Sequence, residues 1–163
     1  MKVKVCFNLN GVPTEILVNP EMTLLEALRD IIGLTSPKCG CNHGDCGSCT
    51  VMLDGKAVKS CTVLAATVSG KCVVTLDGIT PATGLTPIQQ AFLEEGAPQC
   101  GYCTPGMVMA ATAFLEKNPN PTMAEIKEGL SGNLCRCGGY DKYAKAVKDV
   151  ADGKYGPVSE RSE

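Results

Sequence analysis

The chain of 163 residues lacks tryptophan, contains one histidine and is poor in aromatic side chains, which make up 4% of its residues. With His43 as its only imidazole, it cannot form metal sites that need two histidine ligands, such as the Rieske type of iron–sulfur centre. Its formal net charge of −2 provides no basic surface of the kind that binds nucleic acid or anionic lipid. These absences exclude a Rieske centre and argue against binding to nucleic acid or to anionic lipid.

Long hydrophobic runs are missing as well. No apolar stretch approaches the roughly 20 residues of a membrane-spanning helix. Residues 1–10 alternate in character, and they contain neither the apolar core of a signal peptide nor a twin arginine. We therefore expect a cytoplasmic protein without membrane or nucleic-acid partners. The hydrophobic content of 44% is sufficient for a packed core.

Cysteine, in contrast, is abundant: there are eleven, and eight of them fall into two groups. In a reducing compartment cysteines are more often metal ligands than disulfides, and the odd count argues against a fully paired disulfide framework. In the first group, four residues separate Cys41 from Cys46, two separate Cys46 from Cys49, and Cys61 follows later. This spacing is typical of plant-type ferredoxins and predicts a 2Fe-2S cluster, which transfers single electrons.

The second group consists of Cys100 and Cys103 and, after thirty-one intervening residues, Cys135 and Cys137. The first pair precedes a predicted helix, and the second pair lies in a glycine-rich connection between two predicted helices. Two such loops at one end of a helical bundle can present four sulfurs to one cluster. Thiolates suit this iron chemistry, and nearby helix N-termini favour negative charge. The sequence therefore predicts a second 2Fe-2S cluster.

The residues alone leave alternatives open. Structural zinc also uses closely spaced cysteines, and the second group distinguishes less clearly between the two metals than the first. Cys39 lies two residues before Cys41 and could replace it as a ligand. Among the other surplus cysteines, Cys72 is expected to pack in the core, and Cys6 has no assigned role. His43 is expected to be a surface loop residue.

The pattern in residues 1–77 predicts an N-terminal β-grasp domain of the plant-type ferredoxin kind. Apolar residues alternate through residues 3–9, and hairpin turns are predicted at 10–11 and 54–55, where Asn-Gly and Asp-Gly occur. Between the hairpins, a capping box at Thr23 begins an amphipathic helix. A final strand is expected to close the sheet.

After a linker at residues 78–85, the pattern predicts a C-terminal 2Fe-2S domain built as a four-helix bundle, over residues 86–153. Threonine N-caps at Thr86 and Thr122 begin two of the helices, and each helix carries an apolar stripe. Residues 154–163 are expected to form a loose tail. The predicted fold class is therefore α+β.

Three motifs carry a resemblance to a known family. They are residues 38–55 (KCGCNHGDCGSCTVMLDG) followed by Ser60-Cys61, residues 99–107 (QCGYCTPGM) and residues 132–140 (GNLCRCGGY). In order and spacing they resemble the small iron–sulfur subunit of the xanthine dehydrogenase family of molybdenum hydroxylases. The resemblance covers about residues 2–152.

This resemblance implies an electron-transfer subunit of a multi-subunit oxidoreductase that transforms no substrate itself. A large subunit would hold a molybdenum–pterin cofactor, and a medium subunit would usually hold FAD. The cluster of the second cysteine group would lie nearer the pterin, and the cluster of the first group nearer the flavin. The resemblance also assigns Gln99 and Cys137 to contact with the partner's molybdopterin.

Two other functions are compatible with the same cysteines. An independent two-cluster ferredoxin-like carrier would have the same metal content but would steer transient partners with strongly charged faces. The modest net charge favours the subunit over this carrier. A zinc-stabilised binding module without a redox role is the third hypothesis.

Overall fold

Two hairpins and a fifth strand form one mixed sheet in the first half of the chain. The computed structural model describes residues 1–156. The sheet has the order β2-β1-β5-β3-β4, with β1 and β5 parallel and the other neighbours antiparallel. Its strands are β1 (Val3–Leu9), β2 (Val12–Val18), β3 (Thr50–Leu53), β4 (Lys56–Lys59) and β5 (Cys72–Val74).

Both hairpins turn where the sequence predicts. Asn10 and Gly11 have φ values of 52° and 84°, and Asp54 and Gly55 have values of 48° and 75°. Two successive residues with positive φ define the type I′ turn, whose twist matches that of the flanking strands. The predicted strand pairing within each of the two hairpins is therefore confirmed.

A helix packs across this sheet, as predicted. The capping box of Thr23 and Glu26 begins α1 (Leu24–Glu26), which continues as a π-helical turn (Ala27–Ile31). Leu24 and Leu28 are fully buried against the strands. Two short 3₁₀ turns, at Ser60–Thr62 and Ala65–Val68, were not predicted.

The expectation that Cys72 packs in the core is wrong, because its side chain is exposed. Val73 is the strand residue that enters the core of the first half. Val74 packs on the opposite face against Met52 and Met109. Alternation of side chains along β5 places Cys72 on the same face as Val74. The residues that cover Val74 do not cover Cys72, so alternation alone could not reveal that Cys72 is exposed.

The second half is helical. Thr86 and Thr122 each form a complete capping box, and Tyr143 and Phe92 lie in a separate apolar core. The short helix α2 (Leu76–Ile79) joins the halves and was not predicted. The helices are α2 (Leu76–Ile79), α3 (Pro87–Glu94), α4 (Thr104–Lys117), α5 (Met123–Gly129) and α6 (Tyr140–Ala151). A sheet half followed by four main helices confirms the α+β class.

Strand β3 is buried on both faces because the two halves meet there. Val51 faces the core of the sheet half, and Met52 packs against Met109 and Ala113 of α4. Such a doubly covered strand is apolar without alternation. This contact brings the cysteine loop before β3 close to the start of α4.

The predicted loose tail begins with residues that are held in place. Lys154 forms an ion pair with Asp149, and the Tyr155 hydroxyl donates a hydrogen bond to Glu94 over 2.9 Å. Residues 157–163 of the predicted tail lie outside the described residues. Between residues 1 and 156, no helix has both the length and the apolar character needed to cross a membrane.

Candidate metal centres

The first cysteine group occupies a loop and a 3₁₀ turn at one end of the sheet. Cys41, Cys46 and Cys49 lie in the loop before β3, and Cys61 lies in the turn that follows β4. Cys41 interacts with Cys46 in an outer, partly exposed pair. Cys61 interacts with Cys49 in an inner, buried pair and also, more weakly, with Cys41. Residues separated by a whole hairpin are thus brought together.

Main-chain amides surround the outer pair. The amide of Cys46 donates a hydrogen bond to the Cys41 sulfur over 3.4 Å. This amide, together with those of His43 and Asp45, lowers the pKa of the Cys41 thiol to about 6. Donors that favour the thiolate also suit the negative charge of an iron–sulfur cluster.

The inner pair is enclosed by the protein. Cys49 and Cys61 are buried and pack with Leu25 of α1. The Ser60 hydroxyl donates to the Cys49 carbonyl over 2.7 Å and fixes the turn beside the strand. Burial, followed by contact with Cys49, raises the pKa of Cys61 to about 12. Metal binding must therefore displace a tightly held proton from this site.

Close packing in the loop explains one of its glycines. A Cβ atom at Gly40 would lie 2.7 Å from the Cys46 sulfur and 3.4 Å from the Ser48 hydroxyl. A side chain at this position would displace the Cys46 thiol. Glycine therefore permits the sulfur to occupy its place in the quartet.

The second group is assembled from two interhelical loops. Cys100 and Cys103 precede α4, whereas Cys135 and Cys137 precede α6. The thiols again form two main pairs, Cys100 with Cys137 and Cys103 with Cys135, and weaker interactions link Cys100 to Cys135 and to Cys103. Each pair takes one member from each loop, so the site exists only when the helices are packed.

The electrostatics of the second group resemble those of the first. The Tyr102 amide lowers the pKa of the exposed Cys100, and contact with Cys137 lowers it further. Burial opposes ionisation of Cys135, but the Gly139 amide, contact with Cys103 and further amides of the turn together lower its pKa. Burial raises the pKa of Cys103 to about 11.

Two tyrosines of α6 contact this second group, and the sequence analysis gave neither of them a role there. The Tyr140 hydroxyl accepts a hydrogen bond from the Cys135 amide over 2.9 Å. The Tyr143 hydroxyl lies 3.8 Å from the Cys103 sulfur and 2.9 Å from the Thr104 hydroxyl. The available sequence signal for this contact was the position of Tyr143 on the apolar face of a helix, because a buried tyrosine hydroxyl needs a hydrogen-bond partner.

Direct hydrogen bonds join the two groups. The amide of Leu134 donates to the Cys46 carbonyl over 2.8 Å. The buried Asn133 side chain donates to the Gly47 carbonyl over 2.9 Å. Residues beside Cys135 therefore contact the first cysteine loop without any intervening element.

Replacement of Asn133 by alanine is expected to weaken this junction. The lost hydrogen bond contributes about 1 kcal/mol, so on heating at a fixed rate visible absorption should disappear at a temperature about 2–4 °C lower. Asn120→Ala is the control, because Asn120 is exposed in a turn. Equal thermal behaviour of the two variants would show that the Asn133 contact does not stabilise the junction.

Each group offers four cysteine sulfurs, which is the ligand set of a 2Fe-2S cluster. Mononuclear structural zinc takes four ligands around a single ion. In a 2Fe-2S cluster with four cysteine ligands, by contrast, each iron takes two thiolates. The donor set therefore fits two such clusters.

Three further candidate residues, His43, Cys39 and Gln99, are all exposed. His43 lies at the surface with its Nε2 atom 2.9 Å from Asp45. Cys39 is exposed, and its carbonyl accepts a hydrogen bond from Tyr102, whereas the Cys41 sulfur is the one in contact with Cys46. Gln99 donates a hydrogen bond to the Cys137 carbonyl over 3.1 Å. The two residues assigned to pterin contact are therefore neighbours.

Comparison with known proteins gives consistent matches along the chain. Residues 7–96 match the family described as a 2Fe-2S iron-sulfur cluster binding domain, and residues 75–148 match the [2Fe-2S] binding domain family. The small FeS subunit of nicotinate dehydrogenase from Eubacterium barkeri is 48% identical over 147 residues, which are 90% of this chain and 94% of that protein. These matches confirm 2Fe-2S cluster binding.

Other relatives agree in sequence and in structure. The iron-sulfur-binding subunit of xanthine dehydrogenase from Escherichia coli O157:H7 is 48% identical over 143 residues, covering 86% of this chain and 89% of that subunit. The crystal structure of quinoline 2-oxidoreductase from Pseudomonas putida 86 contains a chain with a TM-score of 0.89 and 41% identity, with 92% and 93% of the two chains covered. The chain therefore belongs to the small iron–sulfur subunits of the molybdenum hydroxylases, the family of xanthine dehydrogenase.

Proposed function

We propose that this chain carries single electrons between the molybdenum–pterin centre of a large subunit and FAD on a medium subunit. Its membership of the iron–sulfur subunit family implies electron transfer. Cys41, Cys46, Cys49 and Cys61 would hold one 2Fe-2S cluster, and Cys100, Cys103, Cys135 and Cys137 a second. Bound there, the clusters would supply one-electron redox chemistry. Residues 1–77 and 86–153 would be the corresponding domains.

The observation that carries this proposal is the main-chain hydrogen bond between the two cysteine groups. It joins the carbonyl of Cys46, a member of the first group, to the amide of Leu134, the neighbour of Cys135 in the second. Electron tunnelling falls steeply with distance, and a hydrogen bond between neighbouring peptides keeps the two sites close. A protein that used the cysteines only for stability would not need this proximity.

The orientation of the chain follows from exposure and the family resemblance. Cys100 is exposed and Cys137 half-buried, and the exposed Gln99 holds the Cys137 carbonyl. This edge of the second group is the part that we assign to the partner's molybdopterin. The outer pair of the first group, Cys41 and Cys46, would then lie on the route toward the flavin.

Exposed apolar side chains favour a subunit over the free ferredoxin-like carrier. Tyr102, Leu134 and Tyr140 lie beside the second cysteine group, and about half of each is exposed. A stable partner would cover such residues, whereas a transient carrier is expected to present charge there. The expected cytoplasmic location stays a prediction.

Anaerobic purification of the assembly, with metal and cofactor analysis, tests the proposal. We expect copurification with two larger chains, molybdenum and FAD on those chains, and about four irons and four sulfides on this one. Dithionite should bleach the visible absorption. A monomer with the same iron content would instead support the free carrier. A colourless preparation containing zinc would contradict electron transfer altogether.

A further inference from the structure

One hydroxyl in the protein interior lies against a cysteine sulfur. Tyr143 is 1% exposed, and its hydroxyl oxygen lies 3.8 Å from the Sγ atom of Cys103. The same oxygen lies 2.9 Å from the Thr104 hydroxyl. Cys103 itself is buried at the start of α4. Several main-chain amides around Cys100 and Cys135 also favour negative charge on this group of cysteines.

The state of the sulfur decides the direction of these hydrogen bonds. A cysteine that ligates iron is a thiolate, so its sulfur can only accept. Tyr143 must therefore be the donor to Cys103. The phenol oxygen remains free to accept the proton of the Thr104 hydroxyl. The three groups then form a chain in which each hydrogen bond polarises the next.

We propose that the Tyr143 hydroxyl donates a hydrogen bond to the Cys103 thiolate and thereby raises the reduction potential of the second cluster. The inference rests on the proposed ligand role of Cys103. A reduced cluster carries one more negative charge, so a donor to its sulfur stabilises the reduced state more than the oxidised state. Burial strengthens the effect, because little water competes for either group.

The hydroxyl can be removed separately from the ring. The ring of Tyr143 packs edge-on against Phe92, with 4.8 Å between the ring centroids. Phenylalanine at position 143 keeps this contact and removes only the donor. The main-chain amides cannot be removed in this way, so Tyr143 offers a direct test of one hydrogen bond to sulfur.

The test is a redox titration of Tyr143→Phe in the holoenzyme, followed by electron paramagnetic resonance. We expect one of the two midpoint potentials to fall and the other to stay unchanged. The Cys100→Ser variant, which should alter the signal of the second cluster, identifies the midpoint that belongs to it. Resonance Raman should show altered Fe–S(Cys) stretching in Tyr143→Phe. Tyr155→Phe is the control, because that hydroxyl donates to Glu94 at the surface.

A second variant covers the case in which Tyr143→Phe does not fold. Thr104→Val keeps Tyr143 and removes only the hydroxyl behind it, so a smaller fall in the same midpoint is expected. A rise would mean that Tyr143 donates to Thr104 instead, and it would overturn the inference. Unchanged midpoints and Raman bands in Tyr143→Phe, or a shift of both midpoints together, would also overturn it. Absence of clusters from the unsubstituted protein would contradict the proposed function instead.

Discussion

Serine in place of Cys135 is expected to remove about half of the iron, namely the two ions of the second cluster, and to leave the first cluster in place. A serine hydroxyl is a harder and far less acidic ligand than a thiol, and this position is buried at the point where both loops meet. Acceptor reduction by the assembly should fall by more than about 100-fold, since even changes outside the ligand shell cost about 10–100-fold. Iron analysis and steady-state reduction of the acceptor measure both effects.

Cys46→Ser is the reciprocal variant and should deplete the first cluster while retaining the second. Glu94→Ala is the matched control. Its carboxylate lies at the surface, where it accepts hydrogen bonds from Gln90 and Tyr155. Full iron content together with undiminished electron flow in either cysteine variant would refute the ligand assignment. Loss of both clusters in each variant would show that the two groups assemble together.

Alanine in place of Gly106 is expected to separate the two halves of the protein. Its Cβ atom would lie 2.3 Å from the Gly47 carbonyl oxygen and 2.9 Å from the Ser48 Cα atom. Both are main-chain atoms of the first cysteine loop, so neither can rotate away. We expect this overpacking to lower the free energy of unfolding by about 3 kcal/mol, near the upper end for such substitutions. On heating, visible absorption should then be lost at a temperature about 6–12 °C lower.

Gly132→Ala provides a control in the same region. A Cβ atom there would approach only the flexible end of Lys59, at 4.0 Å. Thermal loss of absorption should therefore match that of the unsubstituted protein. If Gly106→Ala were equally stable, α4 would not pack against the loop as closely as the structure shows.

Local signals account for most of the secondary structure. Asn-Gly and Asp-Gly turns, the capping box at Thr23, the N-caps at Thr86 and Thr122, and the period of the apolar residues all act within a few residues of the chain. Each was readable before any tertiary contact was known. The cysteine spacing was equally local within the first loop, and it indicated the kind of cluster.

Long-range packing determines the remaining features. The pairing of Cys100 with Cys137, the contact of Leu134 with Cys46, the hydroxyl of Tyr143 beside Cys103 and the exposure of Cys72 all depend on how the helices lie against the sheet. Periodicity says which side of an element is apolar, but it does not say which distant element covers that side. The cysteine motifs therefore reveal the chemistry of the chain, whereas the relative positions of its two sites arise from burial of apolar surface between separately specified halves.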